Sequence, residues 1–367
     1  MNFFQASSPN GGFFKGVKVE DKTRYNRELS RVLKPGKRLL VVMHNNPDPD
    51  AMASAVALKY LAEKAFDCTA TVAYSGMIGR AENRAMIKTL KLPLKKASRI
   101  RPEKYDLLAV VDTQPGAGNN ILPPKKKYDL VIDHHPPRRG LKTAFQIIEP
   151  GIGATATLLI EWLLELELPI PSPLATALSY AIRSETQDLG REASDRDIRA
   201  YLQVLSRSSM RALARITHPK RSHDYFSALA RALQRAEGYR NLICLHLGDI
   251  YSPDNVAQMA DLLLLHKRIS WTLVSGRYKD GLILSLRAAS TRAKAGRLIK
   301  RMVPNSRDAG GHGMFAGGRI DLRGLEEGER AELESALSDK FARLFGHEKA
   351  EWKPLLEPEQ QKRDVAE

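Results

Sequence analysis

Residues 38–64 read RLLVVMHNNPDPDAMASAVALKYLAEK, in which a short apolar run, a polar turn and a helix-forming stretch follow one another. Residues 38–43 are apolar and β-branched in the manner of buried parallel strands. Two further runs of this kind lie at 107–111 and 130–132, and a second helical pattern covers 81–90. This β-α-β alternation predicts an α/β domain built on a mostly parallel sheet.

The length of 367 residues predicts two domains with separate cores. Helical patterns at 153–166 and 173–183 complete the first domain. The predicted fold is α/β: a parallel-sheet N-terminal domain, a helical connector and a smaller, mixed α/β C-terminal domain. The predicted bounds are 1–36 for an N-terminal arm, 37–190 for the first domain, 191–240 for the connector, 241–348 for the C-terminal domain and 349–367 for a charged tail.

The composition is basic and poor in cysteine. Lys and Arg outnumber Asp and Glu by 58 to 42, for a formal net charge of +16. This balance favours polyanionic partners, although a merely basic, solvated surface explains it equally well. Cys68 and Cys244 are too few for a disulfide framework, so we expect a reducing, cytoplasmic location. Because no apolar stretch approaches the roughly 18 residues needed to span a bilayer, no membrane association is expected.

Polar clusters follow each of the three apolar runs. They are His44-Asn45-Asn46-Pro47-Asp48-Pro49-Asp50, Asp112, and Asp133-His134-His135. Each has an ordinary alternative, since the acids could cap helices or open turns and the histidines could be loop residues. In a parallel sheet, however, all three clusters fall at the carboxyl edge, where ligands bind. So many carboxylates in one crevice require cations.

The ligand types indicate which cations. Carboxylate and imidazole without thiolate suit Mn²⁺ or Mg²⁺ better than structural zinc, and the number of donors predicts two ions. Two divalent cations can activate a water molecule and hold phosphoryl oxygens for in-line attack. The residues alone therefore predict metal-dependent hydrolysis of a phosphate ester or anhydride.

These residues resemble the motifs of the DHH phosphoesterase superfamily: HNNPDPD the first, Asp112 the second and Asp133-His134-His135 the third. The resemblance implies a di-manganese centre, with Mg²⁺ or Co²⁺ as alternatives. The implied metal ligands are His44, Asp48, Asp50, Asp112 and His134, with Asp112 bridging. It further implies that His135 contacts the substrate phosphate and that Asp133 orients the two histidines.

The fourth motif of that family departs from its pattern here. Family members place Asp-Thr after an apolar helix, whereas this chain has Glu185-Thr186 within AIRSETQDLG. The extra methylene of glutamate displaces the carboxylate unless the backbone compensates. We favour Glu185 as the sixth ligand, with Asp188 as the alternative; if the backbone does not compensate, metal binding is expected to be weaker.

A glycine-rich stretch, DAGGHGMFAGGR at 308–319, resembles the G-G-H-x-x-A-A-G loop of the DHH-associated C-terminal domain. Phe315 replaces the first alanine of that pattern. By this resemblance the substrate phosphate is bound by backbone amides and one histidine, and by an arginine that closes an upstream strand. The residues concerned are Gly310, Gly311, His312, Gly317 and Arg287.

The resemblance covers roughly residues 36–322 and implies a manganese-dependent phosphoesterase. The expected substrates are short oligoribonucleotides, 3′-phosphoadenosine 5′-phosphate or dinucleotides. One alternative is an exopolyphosphatase or pyrophosphatase, and another is a non-catalytic nucleotide-binding protein with a weakened metal site. The expected partner is thus a short oligonucleotide or a nucleotide phosphate, and whether the chain forms a homodimer is left open.

Overall fold

A computed structural model describes residues 27–121, 128–290 and 292–356, apart from the side chains of Asp224 and His312. The remaining parts of the predicted arm and tail lie outside these ranges. The chain divides between residues 219 and 220 into two compact units, so the predicted connector is shared between them. Each unit has its own sheet. None of the helices in the described ranges is long and apolar enough to cross a lipid bilayer.

The first unit contains a six-stranded sheet in which every neighbouring pair is parallel. Its strand order is β3-β2-β1-β4-β5-β6. The strands are β1 Arg38–Met43, β2 Thr69–Tyr74, β3 Leu94–Lys96, β4 Leu107–Val111, β5 Tyr128–Asp133 and β6 Thr143–Ile148. The helices are α1 Pro49–Ala65, α2 Ala81–Leu90, α3 Thr155–Glu165, α4 Ser172–Glu185, α5 Asp195–Leu205 and α6 Met210–Thr217.

The apolar runs form the middle of this sheet because both of its faces are covered. In β1, Leu39 and Val41 pack into the large core on one face, while Leu40 and Val42 pack into a second cluster on the other. A strand buried on both sides needs apolar residues at every position, which is the pattern that identified it. The predicted parallel α/β domain is confirmed.

The second unit has a mixed seven-stranded sheet of order β11-β12-β10-β9-β8-β7-β13, in which only β8 and β9 pair in parallel. The strands are β7 Glu237–Tyr239, β8 Leu242–Asp249, β9 Trp271–Tyr278, β10 Gly281–Ala288, β11 Ala309–His312, β12 Phe315–Asp321 and β13 Lys353–Pro354. The helices are α7 His223–Arg235, α8 Asp254–Leu263, α9 Ala295–Met302 and α10 Glu327–Arg343. The predicted mixed α/β character is confirmed.

The topology of the first sheet determines where a site can form. The chain runs outward in one direction through β1, β2 and β3, and in the other through β4, β5 and β6. The loops after β1 and β4 therefore leave to opposite sides and open a crevice at the carboxyl edge, which is where ligands bind in such sheets. The three predicted polar clusters follow β1, β4 and β5, which are adjacent strands.

Candidate metal centre

His44 and Asp48 face each other across the loop between β1 and α1. Oδ1 of Asp48 accepts a hydrogen bond from Ala51 N at 2.9 Å and so caps the first turn of α1. Its Oδ2 lies 3.4 Å from Nε2 of His44, whose Nδ1 donates to the Asn45 carbonyl at 2.9 Å. Because a carbonyl can only accept, Nδ1 carries a proton, and Nε2 is the ring nitrogen that faces the acids. Capping and a metal-binding geometry thus coexist at Asp48.

Asp112 lies at the centre of the crevice in a strained backbone conformation. It is 2% exposed, and its φ of 57° is in the left-handed region that non-glycine residues seldom adopt. Such conformations cost about 1–3 kcal/mol and persist where the surrounding structure holds them. Its two carboxylate oxygens face different imidazoles: Oδ2 is 3.5 Å from His44 Nε2, and Oδ1 is 3.6 Å from His134 Nε2.

The two histidines after β5 are held by different partners. Nδ1 of His134 donates to the Ile152 carbonyl at 3.2 Å, which leaves the Nε2 lone pair facing the acids. Nδ1 of His135 lies 2.8 Å from Oδ1 of Asp133, which is fully buried. Gln114 donates from Nε2 to the other Asp133 oxygen at 2.7 Å. Asp133 therefore contacts His135 and Gln114.

Asp50 is buried, and both of its carboxylate oxygens are held by the start of α3. Oδ2 accepts from Thr155 N at 2.7 Å, and Oδ1 accepts from Ala156 N at 2.8 Å and from Ser54 Oγ at 3.1 Å. The positive end of the helix dipole favours an anion there. Oδ2 lies 4.0 Å from Nε2 of His134. Asp50 is thus held rigidly beside the crevice.

Of the two acids proposed for the fourth motif, Glu185 is the one near the crevice. Burial, followed by the charges of Asp48 and Asp112, raises the pKa of Glu185 to about 8. Asp188 is 70% exposed and accepts a hydrogen bond from Arg183 Nε at 2.6 Å. Asp188 therefore lies on the surface, whereas Glu185 lies close enough to the crevice for the charges of Asp48 and Asp112 to raise its pKa.

The crowding of acids perturbs proton binding throughout the crevice. Burial and the charges of Asp112 and Asp48 raise the pKa of Asp50 well above its ordinary range. Burial alone lowers the pKa of His135, but its hydrogen bond with Asp133 and the charge of Asp112 outweigh burial and raise it to about 9. The surrounding acids therefore favour the protonated form of His135.

The arrangement fits divalent cations. His44, Asp48 and Asp112 each offer a ligand atom within 4.8 Å of the others, and so do Asp112, His134 and His135. Asp112 belongs to both groups. Nε2 of His134 is buried and has no hydrogen-bond partner in the structure, although two carboxylates lie within 4.0 Å. A buried imidazole lone pair that faces acids at this distance is in the environment of a metal ligand.

Binding of Mn²⁺ is expected to strengthen as the pH rises to about 8. A cation that uses Glu185 must displace its proton below that pH, which weakens the apparent affinity by about tenfold per pH unit for each proton displaced. Calorimetric titration in two buffers of different ionisation enthalpy measures both the affinity and the protons released. Glu185→Gln should lose the part of the pH dependence that the Glu185 proton contributes, and should release fewer protons than the wild type, whereas Asp188→Asn should behave like the wild type. A pH-independent affinity of the wild-type protein would contradict this prediction.

The predicted phosphate-binding residues of the second unit line one cavity of about 300 Å³. Arg287 is 7% exposed; it donates from Nε to Asp261 at 2.6 Å and lies over the Phe315 ring. Ser285, two residues earlier on β10, has a buried Oγ without a hydrogen-bond partner in the structure. The predicted glycines Gly310, Gly311 and Gly317 also line the cavity. The side chain of His312 lies outside the described part of the chain.

Sequence reasoning missed three side chains, two that hold acids of the crevice and one that lines the cavity of the second unit. Thr155 donates from Oγ1 to Asp112 Oδ1 at 2.8 Å, Gln114 holds Asp133, and Ser285 lines the cavity. Thr155 could have been found by recognising β6, because the loop after that strand reaches the same edge of the sheet. Gln114 and Ser285 carry no comparable signal in the sequence.

Comparisons with known proteins agree with this architecture. A family model described as the DHH family, N-terminal domain, matches residues 38–182. An uncharacterized protein of Methanocaldococcus jannaschii is 33% identical over 339 residues, which cover 90% of this chain and 69% of that protein. The crystal structure of an exopolyphosphatase-related protein from Bacteroides fragilis is similar with a TM-score of 0.69 and 16% identity, over 90% of this chain and 99% of that one. The last similarity shows a shared fold.

Proposed function

This chain belongs to the DHH family of metal-dependent phosphoesterases, and from that premise we propose that it hydrolyses short oligoribonucleotides or nucleoside bisphosphates with two Mn²⁺ ions. The observation that carries the proposal is the position of Asp112, whose two oxygens face His44 and His134 within 3.6 Å. One carboxylate placed between two ligand groups suits a pair of cations that share it.

Each residue of the crevice has a distinct task in this proposal. His44, Asp48 and Asp112 would hold one cation, and His134, Asp50 and Asp112 the second, with Glu185 completing the set. The bound cations would supply a water of lowered pKa and neutralise charge on the phosphoryl group. His135, held by Asp133, presents a charged N–H donor to an anionic phosphoryl oxygen.

The cavity of the second unit supports a substrate with a further phosphate. Arg287 and the unpartnered hydroxyl of Ser285 lie beside three glycines whose backbones an anion can approach closely. The aromatic ring of Phe315 also lines this cavity and offers a surface on which a base can stack. An arginine, a hydroxyl and an aromatic ring together suit a nucleotide better than an inorganic phosphate.

A basic surface next to that cavity supports a nucleic-acid chain as substrate. Residues 289–307 contain no acid, and their six cations are all exposed: Arg292, Lys294, Arg297, Lys300, Arg301 and Arg307. Helix α9 within this stretch packs directly on β11, since a Cβ on Gly296 would meet the Gly311 carbonyl at 2.0 Å. Gly311 also lines the cavity. A nucleotide chain bound there can therefore continue along the cations.

A substrate panel with Mn²⁺ tests the proposal. It comprises a diadenylate, oligoadenylates of three to six nucleotides, 3′-phosphoadenosine 5′-phosphate, cyclic dinucleotides, pyrophosphate and polyphosphate. We expect turnover of the short oligoribonucleotides and the bisphosphate, and its loss with EDTA. Turnover of pyrophosphate and polyphosphate with none of the nucleotides would instead favour a polyphosphate hydrolase. Nucleotide binding without turnover or bound metal would favour a non-catalytic protein.

Neutralising the basic surface is expected to affect long substrates selectively. In the triple variant Arg297→Gln, Lys300→Gln and Arg301→Gln, binding of a hexaadenylate should weaken while binding of the diadenylate stays unchanged. The slope of log affinity against log salt should fall by about 0.7 for each phosphate that the protein no longer neutralises. Fluorescence anisotropy in EDTA measures binding without hydrolysis.

The matched control neutralises three exposed lysines of the first unit: Lys88, Lys95 and Lys96. This control changes the net charge equally but should leave the length dependence intact. An equal loss of affinity for both oligonucleotides in the first variant, or equal effects of the two triple variants, would rule out a specific role for α9.

A further inference from the structure

The loop between β6 and α3 determines how His134 is presented. The Ile152 carbonyl accepts a hydrogen bond from His134 Nδ1 at 3.2 Å, and this bond fixes the proton on Nδ1. Nε2 is then the atom with a lone pair, and it is the buried nitrogen that lacks a hydrogen-bond partner. The capacity of His134 to bind a cation therefore depends on where the Ile152 carbonyl points.

Asp197 holds the other side of that same peptide group. The peptide between Ile152 and Gly153 offers its C=O to His134 and its N–H to Asp197 Oδ2, at 2.7 Å. Since a peptide group is planar, a fixed N–H also fixes the direction of the C=O. The approach at Gly153 is close: a Cβ there would lie 3.2 Å from Asp197 Oδ2 and 2.6 Å from Thr186 Cγ2.

The contacts of Asp197 exceed what its own helix requires. Asp197 is fully buried and accepts from Ser194 N and Oγ at 2.7 and 2.6 Å. The bond from Ser194 N, together with the bond from Asp197 N to Ser194 Oγ, forms a capping box at the start of α5. The bonds from Gly153 N and Thr157 Oγ1 come from 44 and 40 residues away and do nothing for that cap. All four partners donate, which an acceptor-only carboxylate satisfies on both oxygens.

We propose that Asp197 is a positioning residue of the metal centre, acting through the Ile152–Gly153 peptide on the tautomer and orientation of His134. Hydrogen bonds in a chain polarise one another, so a carboxylate on the N–H strengthens the C=O as an acceptor. A carboxylate behind a ligating histidine tunes many metal sites, and here one peptide group stands between them. The inference rests on the proposed function, because it takes His134 to be a cation ligand.

Calorimetric titration of the metal-free full chain with Mn²⁺ tests this role. Asp197→Ala should weaken Mn²⁺ binding by about 10- to 100-fold, the usual range for partners of metal ligands. Asp197→Asn keeps an oxygen for Gly153 N–H, and its amide can donate to the Thr157 hydroxyl. Because it loses only the charge, it should weaken Mn²⁺ binding by a smaller factor than Asp197→Ala, about three- to tenfold. Thr157→Val removes a bond from the same carboxylate but should lower only the melting temperature.

Nitrogen-15 NMR of the histidine side chains gives a readout that needs no metal. We expect His134 to carry its proton on Nδ1 in the wild type and to show a mixture of tautomers in the Asp197 variants. The proposal would be overturned if Asp197→Asn had the Mn²⁺ affinity and the His134 tautomer of the wild type, and if Asp197→Ala, where it folds, had them too. If the wild-type chain bound no Mn²⁺ while the tautomer of His134 still depended on Asp197, the proposed function would be wrong. The structural link between Asp197 and His134 would still stand.

Discussion

Asp112→Asn is expected to lower kcat/KM on the nucleotide substrates by on the order of 10³-fold, equivalent to about 4 kcal/mol of transition-state stabilisation. The carboxylate faces His44 Nε2 with one oxygen and His134 Nε2 with the other. An asparagine presents one oxygen and no charge, so it cannot serve two cations. Steady-state kinetics with Mn²⁺ measure the loss.

The fold should survive this substitution, because asparagine tolerates the left-handed backbone found at φ 57°. In the metal-free protein the melting temperature should change little, since the variant relieves the repulsion of Asp50 and Glu185 but also loses the attraction between Asp112 and His135. Added Mn²⁺ should then raise the melting temperature less than it does in the wild type. Activity therefore falls while the stability of the metal-free protein is largely kept.

A matched control is Asp106→Asn, which removes a carboxylate paired with Arg38 at 3.3 Å. It changes the net charge by the same amount and should leave both turnover and the response to Mn²⁺ intact. If Asp112→Asn kept more than about a tenth of the wild-type kcat/KM, a shared ligand at this position would be ruled out.

Arg287→Met is expected to lower kcat/KM by on the order of 10²-fold for substrates that carry a terminal phosphate, mainly through a higher KM. Hydrogen bonds to charged groups contribute about 1.5–3 kcal/mol. Arg287 donates to Asp261 and to two backbone carbonyls in the structure, and turning its planar guanidinium toward a phosphate would provide two such bonds in parallel. Arg287→Lys keeps the charge without that fork and should fall between Arg287→Met and the wild type. Hydrolysis of bis(p-nitrophenyl) phosphate, which has no terminal phosphate, should be little affected.

Ser285→Ala is the cleaner variant of the same cavity. Its Oγ has no hydrogen-bond partner in the structure, so removing it costs no protein contact and should leave the melting temperature unchanged. Binding of a terminal phosphate should still weaken, by up to about tenfold.

Arg277→Met is the control for losing a half-buried arginine from this sheet. Arg277 binds Glu334 through Nε and Nη2, at 2.9 and 3.0 Å. The variant should lower stability without changing KM. If Arg277→Met and Arg287→Met raised KM equally, the lower kcat/KM of Arg287→Met would reflect the stability of the unit and not a phosphate contact.

The sequence predicted the central strands well, because each encodes its environment locally. Arg38–Met43 and Leu107–Val111 have the predicted bounds, since the buried positions on both faces of these strands are all apolar. The interior strand Thr69–Tyr74 was not predicted, and neither were the two edge strands, Leu94–Lys96 and Thr143–Ile148. Leu94–Lys96 is short and mostly exposed, and Thr143–Ile148 alternates between exposed and buried residues. Neither edge strand therefore carries the continuous apolar signal of a central strand.

What the sequence by itself determined is the chemistry at the carboxyl edge of the sheet. Strand ends followed by His44, Asp112 and His134 come together in any parallel sheet with these strands adjacent, because the strands are parallel. The motif alone favoured Glu185 over Asp188 as the sixth metal ligand. The surface position of Asp188 became visible only in the structure.

What only the tertiary structure decided is how those ligands are held. Thr155 donates to Asp112, whose backbone is left-handed, and Asp197 is linked to His134 through one peptide group. These hydrogen bonds join segments that lie 18 to 44 residues apart in the chain. Strand and helix patterns report on neighbours a few residues away, because they arise from the repeat of the backbone. Hydrogen bonds between loops have no such repeat, so they become visible only once the sheet has brought the loops together.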